Sequence, residues 1–418
     1  MMVPTLKEIY DRRSKELITE VATDLVMRKF AKKGGRVTSA LKRRLRKWIE
    51  ADAQGNFSAH QKSISGRTPL VLAITSRDLR RMHGKFARSM AAQMTEIAVA
   101  ETMRKAKGTM NELRRAWRKV GSQNRKADKA FETRLAQCWR VPFSLLELHL
   151  HLAREYGAEL NEVCRRKHRR ASAALVDVLT RLHARCCQIA GEVTALLRAG
   201  YADGAMARWR SLHEVAVVLQ FIGLHGNSLA RRYLDHEAIE SWRAADLYMK
   251  HCSRLGYAPY SVTELAVIRQ HFDAAATKYG KSFTEAYGWA SDVLGKKKPD
   301  FSDIEKAAGL AHFRPYYKLA SHGVHANPKG ALFKLGLVSG TNLLAAGPTN
   351  YGSADPGQKT ALSLNQATAA LLMLAPTEER LLVMQVMSEL TKEIGNAFVK
   401  VQRRIESREL QNRAAKNP

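Results

Sequence analysis

The chain has 418 residues, 45% hydrophobic and 26% charged, an ordinary globular balance and enough length for two or three domains. Its charge is less ordinary: Lys+Arg number 69 against 39 Asp+Glu, and the first 150 residues alone hold 33 basic and 14 acidic side chains. The excess points to an anionic partner, nucleic acid first and RNA ahead of DNA, with solvated basic helix faces as the plainer alternative.

No apolar run approaches the 18 residues of a membrane span, and the start, MMVPTLKEIYDRRSKEL, has no secretory h-region. Cysteines 138, 164, 186, 187 and 252 form no C-x-x-C pair and give neither a disulfide framework nor a zinc knuckle. The expectation is a cytoplasmic protein with no membrane partner, no cofactor and no metal, for which a homo-oligomer stays open.

Helical periodicity runs through most of the chain. Leu6, Ile9, Tyr10, Leu17, Val21, Leu25 and Phe30 mark a stripe over 5–33, ended by the glycines at 34–35. A second helix follows in TSALKRRLRKWIEAD, its Leu41, Leu45 and Ile49 inward and Arg43, Arg44, Arg46 and Lys47 outward. PLVLAIT at 69–75 reads as a short strand, and 76–120 as helix again, with Arg114, Arg115, Arg118 and Lys119 as a second basic cluster. GSQNRKADK at 121–129 is the linker expected between a basic helical region, 1–125, and a helical core domain, 136–410.

From Pro142 to Leu224 the pattern predicts two or three helices with breaks near Gly157 and Gly200, and RRYLDHEAIESWRAADLYMKHC supplies another. Ser261-x-x-Glu264 and Ser302-x-x-Glu305 both match the capping box that starts a helix. A further helix lies in RPYYKLASHGVHANPKG, with Pro315 in its first turn and its end before Pro328. A loop is expected at 348–360 and a last long helix over 361–410. The fold class is all-α: a multi-helix bundle with a basic helical N-terminal region.

Two stretches carry candidate chemistry. In ARWRSLHEVAVVLQFI, Arg210 and Glu214 stand at i,i+4 and His213 one turn from Arg210, at the head of a nearly all-apolar helix. Charges there are costly unless partnered, so they form either a structural ion pair tying two helices or a pre-set Arg and carboxylate in a polar pocket. In the second stretch Tyr317, Ser321 and His325 share one helix face, while Lys318, His322 and His325 share an adjoining one. Gly323 between the histidines costs about 1 kcal/mol of helix propensity, which a close approach by a backbone or ligand would explain. Neither His-x-x-x-His nor His-Glu-x-x-His occurs, and no P-loop, G-x-G-x-x-G or nucleophile elbow is present.

Taken in order, ARWRSLHE, YGWASDVLG, FSDIEKAAGL and YYKLASHGVHANPKG resemble a bacterial all-helical family described as a domain of unknown function, over roughly 160–375. The resemblance implies the architecture and an association of Arg210, Glu214, Ser321 and His325 in one pocket. The pattern is also distantly similar to the HEPN superfamily of toxin–antitoxin and antiphage systems. Many of those are metal-independent ribonucleases with an Arg-x4-6-His motif. The nearest counterpart here runs from Arg314 to His322, with seven residues between and Pro315 after the arginine.

Three functions follow as expectations. The first is a ribonuclease-like effector in which His325, with His322 and Ser321 beside it, does acid–base work while Arg210 and Glu214 set the charge. The second is a non-catalytic nucleic-acid-binding or regulatory protein in which the same residues knit the core. The third is a metal-dependent hydrolase built on His322, His325 and Glu214.

Overall fold

The computed structural model describes residues 37–51, 85–166, 173–325, 328–338 and 346–416, together with Thr23, Met27, Phe30, Ala31 and Leu344. The strand expected at 69–75 lies outside the described residues, as does most of the helix expected at 5–33. Every regular element among the described residues is helical, as the periodicity predicts. The chain divides into two compact units, Met1–Lys129 and Ala130–Pro418.

In the first unit, α1 (Ser39–Ala51) begins where Thr38 Oγ1 accepts the Leu41 amide at 3.2 Å, an N-cap bond. Arg43, Arg44 and Lys47 are exposed, and Arg46 is held by Glu50 at 2.9 Å. Next, α2 spans Lys85–Cys138 without interruption, its residues from Ala130 on belonging to the second unit, so the expected linker at 121–129 is helix. That segment is polar but holds no proline, and its Lys, Arg, Gln and Ala are good helix formers. A solvated helix and a loop share this composition.

In the second unit, α3 (Arg140–Arg166), α4 (Ala173–Arg198), α5 (Ala202–Asp235), α12 (Ala354–Leu372) and α13 (Glu378–Lys416) surround one core. Trp139, Leu146, Ile189, Trp209, Phe221, Ile394 and Phe398 are each at most 1% exposed there. Gly157 does not break α3: a Cβ at that position would stand 2.5 Å from the His183 ring, so the glycine lets α4 approach. The break near Gly200 is real. This residue has φ +80°, and its carbonyl accepts the Thr349 amide at 2.9 Å just before α5 starts.

The predicted helix through RRYLDHEAIESWRAADLYMKHC divides at His236 into the end of α5 and α6 (Glu237–Leu255). The Ser261–Glu264 capping box is present at the head of α7 (Val262–Tyr279). After a single turn, α8 (Ser291–Leu294), the box expected at Ser302–Glu305 is replaced. Asp300 and Asp303 cap α9 (Phe301–Ala307), and Glu305 turns into the core. Then come α10 (Arg314–Val324), with Pro315 in its first turn, and α11 (Pro328–Leu332).

The loop expected at 348–360 is shorter, because α12 already starts at Ala354 and takes Pro356 into its first turn, where no amide partner is needed. The long helix expected at 361–410 is two helices, separated around Pro376. The space around Gly323 is open, so no close approach explains that glycine; the tight contact lies at Gly330, beneath the His322 carbonyl.

Candidate functional site: a two-layer charge cluster between α5 and α10

Tyr317 joins the two stretches that the sequence singled out. Arg210 Nη2 donates to its hydroxyl at 2.8 Å, and the hydroxyl in turn donates to Glu214 Oε1. Arg210 Nη2 also stands 3.0 Å from Glu214 Oε1. Its guanidinium lies 4.8 Å from the Tyr317 ring centroid, where the cation meets the negative face. The pair that α5 carries is therefore tied to α10 through one phenol that both accepts and donates.

Burial, then the carboxylate it serves, push the Tyr317 phenol up to about 12, against the pull of Arg210. It is a fixed donor at neutral pH, not a base. Tyr287 stands near the same charges, and burial and Glu214 also raise its phenol.

A second layer lies beneath. His213 Nε2 contacts Glu305 Oε1 at 2.8 Å, with the two side chains 0% and 1% exposed. Arg314 Nε approaches Glu305 Oε2 at 3.1 Å, an ion pair not aligned as a hydrogen bond. Aromatic rings enclose the imidazole: Trp209 at 5.4 Å, Phe313 at 5.5 Å, Tyr317 at 6.1 Å and Phe301 at 6.2 Å between centroids.

His213 Nδ1 is buried without a partner. A proton there would be a stranded donor, so the histidine is neutral with its proton on Nε2, and burial lowers its pKa despite Glu305.

The other expected residues lie farther along α10. Ser321 Oγ donates to the Tyr317 carbonyl at 2.8 Å, a bond within its own helix. His322 is half-buried, and His325 is exposed at the helix end. Eight residues at 1.5 Å each put His325 about 12 Å along the axis from Tyr317. The structure thus brings Arg210 and Glu214 together with Tyr317, and sets His325 at the solvent-facing end of the same helix. Among the described residues no group of three His, Cys, Asp or Glu could hold a metal ion, so Glu214 does not complete a site with His322 and His325.

Local spacing points to His213 and Tyr317 but not to the partners that define their roles. The apparent capping box at Ser302 hides Glu305. Its signal is nonetheless present, since Phe301, Ile304, Glu305 and Ala308 follow the i, i+3, i+4, i+7 pattern and put a carboxylate on an apolar stripe.

The geometry makes Tyr317→Phe informative. Removing the hydroxyl leaves Arg210 and Glu214 to each other but takes a hydrogen bond from both, and should cost roughly 1–3 kcal/mol in urea unfolding. A loss within a few tenths would mean that the phenol does not tie the two helices.

Among the described residues no helix is long and apolar enough to cross a membrane. No curated protein and no solved structure matches the chain. Residues 176–340, which contain both layers of the cluster, match the model of a family of unknown function (DUF5677), in keeping with the ordered motifs that carried the resemblance.

Proposed function

We propose that the protein is a nucleic-acid-directed effector, RNA favoured, whose basic helices hold the strand. The observation that carries this reading is the density of open cations. Arg43, Arg44 and Lys47 on α1 are exposed, as are Arg114, Arg115, Arg118 and Lys119 on α2. Between 104 and 129 the sequence sets ten basic residues against two acidic ones. A phosphate backbone would use that excess.

The effector step fits a ribonuclease-like reaction with the exposed His325 as acid or base and His322 beside it. Resemblance to HEPN proteins extends that reading to toxin or antiphage systems. Arg210 and Glu214 then act as positioning residues that anchor α10, since Tyr317 occupies both.

That engagement of both charges by Tyr317 favours a second reading, a regulatory binder without turnover. Incubating the full chain with labelled RNA and DNA separates the two. Under the ribonuclease reading RNA is cut, and His325→Ala abolishes cutting with helicity and melting near wild type, because an exposed side chain leaves no cavity. Intact RNA that is nonetheless bound moves the assignment to the regulatory binder.

Binding itself should weaken steeply with salt. Replacing Arg43, Arg44 and Lys47 together by Gln should reduce the slope of log affinity against log salt by about 0.7 for each single-strand phosphate no longer neutralised. Affinity indifferent to salt in the wild-type chain would sink the nucleic-acid reading.

A further inference from the structure

We infer that Trp117 on α2 is a stacking platform for an unpaired base, so that the ligand of the basic face is single-stranded nucleic acid. This rests on the nucleic-acid reading above and narrows it. Trp117 is 50% exposed, an unusual position for the largest apolar side chain. Its neighbours Arg114, Arg115, Arg118 and Lys119 are all exposed cations.

The residue one turn on explains how the ring is held. Gly121 lies in the interior of a 54-residue helix, where glycine is disfavoured. A Cβ at 121 would stand 3.1 Å from Trp117 Cε2 and 3.3 Å from Nε1, closer than such atoms normally come. The glycine therefore makes a seat on which the indole lies against the helix, while half of the side chain stays open to solvent. Arg125 Nη1 stands 3.4 Å from that same Cβ position, so a further exposed cation lies beside the seat.

A seated ring half open to solvent amid guanidinium and ammonium groups suits stacking by a base while its phosphates are neutralised. A paired base keeps its faces inside the duplex and cannot use it. The platform tolerates any base and does not distinguish ribose from deoxyribose. The RNA preference would then come from elsewhere on the protein.

The test compares full-length wild type with Trp117→Ala, Trp117→Phe and Gly121→Ala, using oligo(U), oligo(dT) and an RNA duplex of equal charge. Trp117→Ala should weaken both single strands roughly 5- to 100-fold and leave the duplex within about twofold, while Trp117→Phe recovers much of the loss. Gly121→Ala raises helix propensity and keeps every charge, yet should weaken oligo(U) because it unseats the ring. Circular dichroism checks that each variant is folded.

Wild-type affinity for oligo(U) in Trp117→Ala, with salt dependence intact, overturns the platform and leaves the electrostatic reading standing. An equal loss on duplex and single strand also overturns it. If wild type binds none of the three ligands, the nucleic-acid reading itself fails.

Discussion

Glu305→Ala should destabilise the Ala130–Pro418 unit by roughly 3–5 kcal/mol, the largest loss expected from one change in the cluster. The carboxylate is 1% exposed and serves two partners on two other elements, His213 from α5 and Arg314 from α10. Its loss leaves the His213 Nε2–H without an acceptor in a ring whose Nδ1 already lacks a partner. Both imidazole nitrogens would then be buried and unpaired.

Arg314 suffers less, because it is 28% exposed and can turn to water. Glu305→Gln isolates that difference, since it keeps the acceptor for His213 and removes only the charge. It should cost about 1 kcal/mol, within the usual range for one hydrogen-bonded group. Equilibrium denaturation of both variants, with His213→Ala completing a double-mutant cycle, gives the coupling directly. A Glu305→Ala protein less than 1 kcal/mol below wild type would mean that α9 and α10 are held by their aromatic contacts alone.

How the sequence discloses this fold follows from the same residues. The run from Val215 to Ile222 is apolar on nearly every face, and α5 is correspondingly the helix around which the others pack. Where a segment is polar, composition alone does not separate a solvated helix from a loop, and 121–129, with the composition of a linker, is helix. Gly157 and Gly200 look alike in sequence. Only the second adopts positive φ, and the first makes room for His183, a partner 26 positions away.

The candidate site is half legible for the same reason. Arg210 and Glu214 are i,i+4 neighbours, and helical periodicity alone puts them side by side. Tyr317 and Glu305 meet α5 across separations of 103 and 92 residues, which no local spacing encodes. Ser302-x-x-Glu305 also imitates a cap where the true cap, Asp300-x-x-Asp303, begins two residues earlier.

The second large effect expected is acid lability in the mildly acidic range. His149 and His183 are 0% and 3% exposed, and burial lowers each from 6.5 to about 4. Each sits opposite a threonine that has already spent its proton. Thr391 Oγ1 donates to the Met387 carbonyl and contacts His149 Nε2 at 3.1 Å; Thr368 Oγ1 donates to the Leu364 carbonyl and contacts His183 Nε2 at 3.0 Å. Both hydroxyls must therefore accept, which puts each imidazole proton on Nε2; His149 Nδ1 is then buried without a partner, and His183 Nδ1 faces the Cys187 thiol at 3.9 Å. Burial penalises the protonated ring at both sites, more than the Met387 carbonyl near His149 offsets.

The folded-state values are lower than the unfolded ones, so the neutral histidines contribute fully above pH 6.5 and lose that contribution as pH falls from 6.5 to 4. At 1.36 kcal/mol per unit, each loses at most about 3 kcal/mol, and the two together approach the stability of a typical domain. Helicity followed by circular dichroism should hold from pH 8 to about 6 and collapse cooperatively between about 6 and 4. His149→Gln with His183→Gln keeps an amide donor near each threonine but removes the titration, and should move the collapse at least about one pH unit lower. A wild-type chain equally stable at pH 7 and pH 4, or a double variant that collapses where wild type does, would show that these histidines are not the groups that set the acid limit.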